Sequence, residues 1–345
     1  MIDIITYSRE EIAGMMQKRQ GEIKLGEQLQ TIESSRNWIE ELDRQNSKFA
    51  IIGIAEDIGV RANFGRRGTA TAWDNFLKNF VNTQHNAYCN GRNITLLGHI
   101  NIYDEMTVAE ELHPSIKHEH KRMFELVERV DRKVQWVIEK VVASGKIPIV
   151  IGGGHNNAYG NIKGTAQAKG KSINVVNLDA HTDLRPTKGR HSGNGFSFAI
   201  EEKILNNYFI FGLHENYLSA SVHEMIVESA GQIKFNTYEE VAVRGEKEFH
   251  EELTTAYQHI KGRPFGVELD LDSLPDIASS AITPSGFSVE QARQYLHYFA
   301  QFKEVAYLHL CEAAPALSSY KNPNMVGKLL AFMVTDFVKS HMKGK

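Results

Sequence analysis

From residue 48 onward the chain alternates short apolar runs with longer amphipathic ones, the pattern of repeated βα units forming a mostly parallel sheet. The runs at 49–54, 94–97, 147–151, 173–178, 208–211, 264–269 and 305–310 predict strands. Between 116 and 143, Phe124, Val127, Val130, Val134, Val137, Ile138 and Val141 recur at spacings of three and four, which predicts one long helix ended by Ser144-Gly145. A last helix is expected over 326–339. The first 48 residues are rich in Glu, Gln, Lys and Arg, with apolar positions at helical spacing in 37–42, and predict helices packed outside the sheet. No repeat and no Pro/Gly/Ser-rich linker interrupts the pattern. The expected organisation is a helical extension over 1–48 followed by one large α/β unit over 49–345.

Composition narrows the function classes. Of 345 residues 42% are apolar and 23% charged, a globular balance. Lys and Arg number 39 against 42 Asp and Glu, a net charge of −3, so no overall field recruits nucleic acid or an anionic membrane. Two cysteines, Cys89 and Cys311, make neither a disulfide framework nor a thiolate zinc cluster, and a cytoplasmic location is expected. The start carries no signal-peptide pattern, and no run reaches the ~18 apolar residues of a membrane span. What stands out is 15 histidines.

Four apolar strands run directly into polar or ionisable residues: IPIVIGGGHNN, INVVNLDAHTDLR, PFGVELDLDSL and VAYLHLCEAAP. In an open parallel sheet the carboxyl ends of the strands share one edge, where ligands bind. His155, Asp179, His181, Asp183, Asp270, Asp272 and Glu312 can therefore converge across a wide sequence span. Four aspartates cannot share a dry crevice unless something positive sits among them. Mixed His and Asp donors without thiolate suit Mn²⁺ better than Zn²⁺. Two divalent ions would balance four aspartates and depress the pKa of a water they share. Taken singly, each feature has an ordinary reading: a D-x-D in a solvated turn, a His after glycines that caps or packs. Asp179 and Asp183 flanking His181 have no packing rationale. The Gly152-Gly153-Gly154 run lacks the spacing of a dinucleotide turn or a P-loop and is read as allowing close backbone approach. His113, His118 and His120 open the long helix and are read as a solvated face. No H-E-x-x-H or G-x-S-x-G occurs.

GGGH at 152–155, DAHTD at 179–183 and DLD at 270–272 resemble the three metal motifs of the ureohydrolase (arginase and agmatinase) superfamily. The stretch 56–69, EDIGVRANFGRRGT, is similar to that family's first βα loop, with Asp57, Asn63 and Gly65 in place. The resemblance implies a three-layer α/β/α fold with a central, mostly parallel sheet and a centre of two Mn²⁺ per chain. By motif position His155, Asp179, Asp183 and Asp270 would hold one ion and Asp179, His181, Asp270 and Asp272 the other, with Asp179 and Asp270 bridging. Homo-oligomers are also implied.

Within that superfamily the segment after the second motif resembles the formimidoylglutamase branch. Arg185 stands where arginases usually carry Asn, and HSGNGF places Phe196 where arginases carry His. Arg185 offers a planar fork for a substrate carboxylate, with Ser192 and Asn194 beside it. The resemblance implies hydrolysis of a linear amidine C–N bond, N-formimino-L-glutamate to L-glutamate and formamide. Glu312 would pair with the amidinium, Asp183 would carry a proton and His191 would donate or shuttle one. Asn156 and the DLDSLPD turn depart from the branch pattern without removing a ligand, and EAAP replaces the family's E-x-N-P. Alternatives are an arginase or other guanidino-acid hydrolase releasing urea, and a non-catalytic metal-stabilised binding protein on the same fold.

Overall fold

Successive residues of a strand face opposite sides, and here both sides are covered. Phe49 and Ile51 pack into one apolar cluster while Ala50 and Ile52 pack into another. The continuous apolar runs follow from this, because strands buried on two faces need no polar alternation. The computed structural model describes residues 3–318 and 324–344.

The strands are β1 (Ile4–Ile5), β2 (Gln30–Thr31), β3 (Phe49–Gly53), β4 (Ile94–Ile100), β5 (Ile147–Ile151), β6 (Ile173–Leu178), β7 (Leu205–Leu213), β8 (Ile233–Thr237), β9 (Phe265–Asp270) and β10 (Val305–Cys311). Their order is β1-β4-β3-β5-β10-β9-β6-β7-β8, with β2 also on β4. All pairings are parallel except β1 with β4. Helices Ala72–Phe80, Phe249–Ile260, Val289–Ala300 and Met325–Lys343 cover one face. Helices Lys117–Ala143, Asn157–Lys169 and Gly195–Glu201 cover the other. This is the expected three-layer α/β/α architecture. Among the described residues no helix is long and apolar enough to cross a membrane.

Two expectations need correction. The first 48 residues are not helical only: β1 and β2 pair with the outer side of β4 and cover an edge that would otherwise leave backbone groups unpaired. Two-residue strands are too short to show a period. The edge strand β8 was also missed, because its apolar run is broken by exposed Lys234 and by Asn236, buried where it accepts the Gly212 N–H.

The central strands set up the site. β5, β10, β9 and β6 are neighbours, and register aligns Ile151, Leu310, Leu269 and Leu178 in one row across them. Asp179, Asp270 and Glu312 follow within two residues of that row, and His155 follows Ile151 by four, after three glycines.

Candidate metal centre and substrate cavity

Beyond the row, β5 turns sharply. Gly152 and Gly153 have φ of +91° and +70°, and a Cβ on Gly153 would collide with Asn157 Nδ2 and Glu56 Oε1. Glycine is needed there for both reasons. The turn delivers His155, 1% exposed, to the end of the sheet. Its Nδ1 lies 3.2 Å from Asp179 Oδ2, 3.0 Å from Asp183 Oδ2 and 3.1 Å from Asp270 Oδ2. His181 Nδ1 lies 3.5 Å from Asp179 Oδ1 and 3.4 Å from Asp272 Oδ1. The donors form two adjoining groups, His155/Asp179/Asp183/Asp270 and Asp179/His181/Asp272, each with ligand atoms within 4.8 Å of one another. Asp179 belongs to both through its two oxygens. Asp270, expected to bridge, belongs to the first only, and its Oδ1 accepts the Asp272 N–H at 2.8 Å.

These residues fit divalent cations. One imidazole nitrogen carries at most one proton, yet three carboxylates surround Nδ1 of His155. Both His155 nitrogens and Asp272 Oδ1 are buried without a hydrogen-bond partner. Burial, then the charges of Asp272 and Asp179, pushes Asp270 far above the usual carboxylate range, and burial with Asp179 raises Asp183. Although burial disfavours its charge, Asp272 and Asp179 hold His181 well above the ordinary imidazole range. The cluster thus recruits protons where cations of higher charge would satisfy it better.

Asp183 and Glu312 have positive φ, +50° and +59°. For non-glycine residues this costs on the order of 1–3 kcal/mol each and persists only where the surroundings impose it. For Glu312 the cause is visible: its N–H donates to Gly153 O at 3.1 Å, while its Oε1 accepts the His155 N–H at 2.8 Å. It belongs to no ligand group. Burial, then Asp272, pushes its carboxyl up to about 8. A cation arriving beside it would restore its charge.

A cavity of about 500 Å³ opens above the centre and is lined by Asp183, Asp270, Asp272 and Glu312 on its floor and by Asn63, Arg185, Ser192 and Tyr217 among its walls. Arg185 is exposed, and no carboxylate among the described residues lies within ion-pair distance of it. Asn63 Nδ2 donates to Ser192 Oγ at 3.2 Å on the same wall. Tyr217 stacks on His181 with ring centroids 4.7 Å apart.

His191 and Asn194 do not line this cavity, which corrects their expected roles. Asn194 is fully buried; its Oδ1 accepts from Arg190 at 2.6 Å and its Nδ2 donates to Gly189 O at 2.7 Å. His191 Nδ1 accepts the Gly193 N–H, and burial, then Arg190, Arg185 and His120, pushes the ring down to about 4. Its Nδ1 is engaged within its own turn, outside the lining of the cavity. The His113–His120 patch is solvated at His118, but His120 Nε2 contacts Ala62 O at 2.7 Å and its ring packs against Phe64.

Sequence reasoning passed over two buried hubs. Arg190 uses all five guanidinium hydrogens: Nε and Nη2 on Asp131 at 2.7 and 3.1 Å, Nη2 on Asn156 O at 2.9 Å, Nη1 on Asn194 Oδ1 at 2.6 Å and on His191 O at 3.3 Å. It ties the loop carrying Arg185 and Ser192 to the loop carrying His155. Glu56 accepts N–H bonds from Gly154, Ile58, Gly59, Asn156 and Asn157 and joins the first βα loop to the same turn. An apolar helix face with one Asp, Asp131 among valines, is the signal that could have found the first.

Comparison with known proteins agrees with this fold. Formimidoylglutamase of Streptococcus pyogenes serotype M12 (strain MGAS2096) is 27% identical over 286 residues, 79% of this chain and 79% of that protein. Formimidoylglutamase of Macrococcus caseolyticus is 25% identical over 295 residues, covering 82% and 83%. Among solved structures, formimidoylglutamase from Bacillus subtilis superposes with a TM-score of 0.73 at 18% identity over 94% of both chains. Trypanosoma cruzi formiminoglutamase, solved with Mn²⁺, gives 0.70 at 22% identity, covering 94% of this chain and 100% of that one. At such identities the superpositions speak for the fold. The sequence profile of the arginase family matches residues 47–335, which take in every strand from β3 to β10 and all seven convergent groups, and the chain therefore belongs to the arginase family.

Proposed function

We propose that this protein hydrolyses N-formimino-L-glutamate to L-glutamate and formamide, using two Mn²⁺ held by His155, Asp179 and Asp183 with Asp270, and by Asp179, His181 and Asp272. Residues 49–345 are the catalytic unit in this reading and 1–48 an extension on its edge. The observation that carries it is an unpaired guanidinium, Arg185, on the wall of a cavity whose floor is the carboxylate–imidazole cluster. An amidine substrate without a carboxylate would leave that charge unanswered. The names of the relatives point to the same substrate.

When bound, the two ions supply a nucleophile at neutral pH by lowering the pKa of a shared water. The chain's own groups do the rest. Arg185 takes a substrate carboxylate through its planar fork, with Ser192 beside it. Glu312, its Oε1 already engaged by the His155 N–H, offers Oε2 to the amidinium and orients the reacting carbon. The bond between that carbon and the glutamate nitrogen breaks as the carbon gains oxygen. Asp183 Oδ2 faces His155, leaving Oδ1 to carry the proton from water to the leaving amine.

The test is a panel of N-formimino-L-glutamate, L-arginine, agmatine and 4-guanidinobutyrate with the Mn²⁺-loaded protein and identified products. Formamide from the first substrate alone is expected. Arg185→Ala should lower kcat/KM for it by about 10²-fold, roughly 3 kcal/mol, with metal content unchanged. Urea released from a guanidine would contradict the assignment, and no turnover of any amidine would favour a binding role.

A further inference from the structure

Beneath the metal ligands the sheet carries a second aligned row, and this one is polar. Register places Asn177 of β6, Glu268 of β9 and His309 of β10 side by side, each fully buried in central strands. Burying these groups there is costly unless they are bonded. All have partners. Glu268 Oε2 lies 2.6 Å from His309 Nδ1, and its Oε1 accepts from Tyr307 OH at 2.7 Å. His309 Nε2 lies 3.4 Å from Gly152 O, in the turn that delivers His155. Asn177 Nδ2 donates to Asp179 Oδ2 at 3.0 Å and lies 2.9 Å from Tyr208 OH.

The row points at His155. Its Nε2 is buried without a hydrogen-bond partner, and Glu268 Oε2 lies 3.5 Å from it. Phe196 and His309 stand edge-on to the imidazole at 5.1 and 6.1 Å and limit its rotation. An imidazole that ligates through Nδ1 must carry its hydrogen on Nε2, and a carboxylate facing Nε2 selects that tautomer and makes Nδ1 a better donor.

We propose that Glu268, held in place by Tyr307 and His309, is the positioning residue of the His155 ion site, fixing the tautomer and orientation in which Nδ1 meets the metal. It rests on the two-ion reading above. His155, Glu268, His309 and Cys311 also lie close enough to suggest a third ion. Glu268 already has His309 and Tyr307 as partners, and Cys311 Sγ contacts Leu269 O at 3.6 Å. The cluster is therefore support for the ligand and takes no ion of its own.

The experiment is Mn²⁺ titration of the full chain, with free ion followed by its electron paramagnetic resonance signal and bound ion by elemental analysis. Parent, Glu268→Gln and Tyr307→Phe proteins are compared, with thermal melts alongside. In Glu268→Gln one equivalent should weaken 10–100-fold while the other stays within about threefold. Tyr307→Phe should weaken the same equivalent by a smaller factor, and it decides the matter if Glu268→Gln does not fold. Unchanged binding in the variants, equal weakening of both equivalents, or a third bound ion in the parent would overturn the proposal. A parent binding no ion would remove the two-ion reading itself, and this inference with it.

Discussion

Asp179→Asn should reduce kcat by at least ~10³-fold, about 4 kcal/mol of transition-state stabilisation, and drop bound Mn²⁺ below one ion per chain. Asp179 is the only residue in both ligand groups, with Oδ2 facing His155 and Oδ1 facing His181. Asparagine keeps the volume but removes one negative charge and turns one acceptor into a donor. That donor would point at the His181 N–H, now 2.7 Å from Oδ1, or at Asn177 Nδ2, 3.0 Å from Oδ2. Either placement sets donor against donor in a buried site, which is costly. Elemental analysis, kinetics and a thermal melt separate loss of ions from loss of fold. A folded variant with two ions and activity within tenfold of the parent would show that Asp179 does not bridge.

Glu312→Gln should have the next largest effect and a different signature: kcat/KM down by about 10²–10³-fold with two ions still bound. Glu312 lies outside both ligand groups but lines the cavity. Glutamine can still accept the His155 N–H, and it imposes the same positive φ, so the turn should hold. What it lacks is a charge to meet the amidinium. Losing a charge-assisted bond in a buried site amounts to roughly 3–4 kcal/mol. Kinetics and metal analysis on one preparation check both halves. Loss of an ion in this variant would make Glu312 a ligand, and unchanged kinetics would remove it from the mechanism.

The convergence of the His and Asp side chains was legible because each sits beyond the end of an apolar run, where chemistry has no competing packing explanation. The β5–β10–β9–β6 adjacency was not, since neighbour order in a parallel sheet depends on crossovers that leave no local periodicity. Glu268 and His309 were hidden for the opposite reason: one buried polar residue inside an apolar strand reads as noise until the register shows it beside another. His191 and Asn194 were misplaced because a motif gives position along the chain, whereas the Arg190–Asp131 pair turns that part of the loop inward and away from the cavity. Arg185, two residues beyond Asp183, lines the wall, and no carboxylate among the described residues pairs with it.

The most direct test is a count of ions and their coupling. Parent protein loaded with Mn²⁺ and freed of excess should retain two ions per chain. Asp179 joining both groups should give them the spin-coupled resonance of a bridged pair. One ion per chain with full activity, or two that behave as isolated centres, would contradict the shared-carboxylate site on which the chemistry rests.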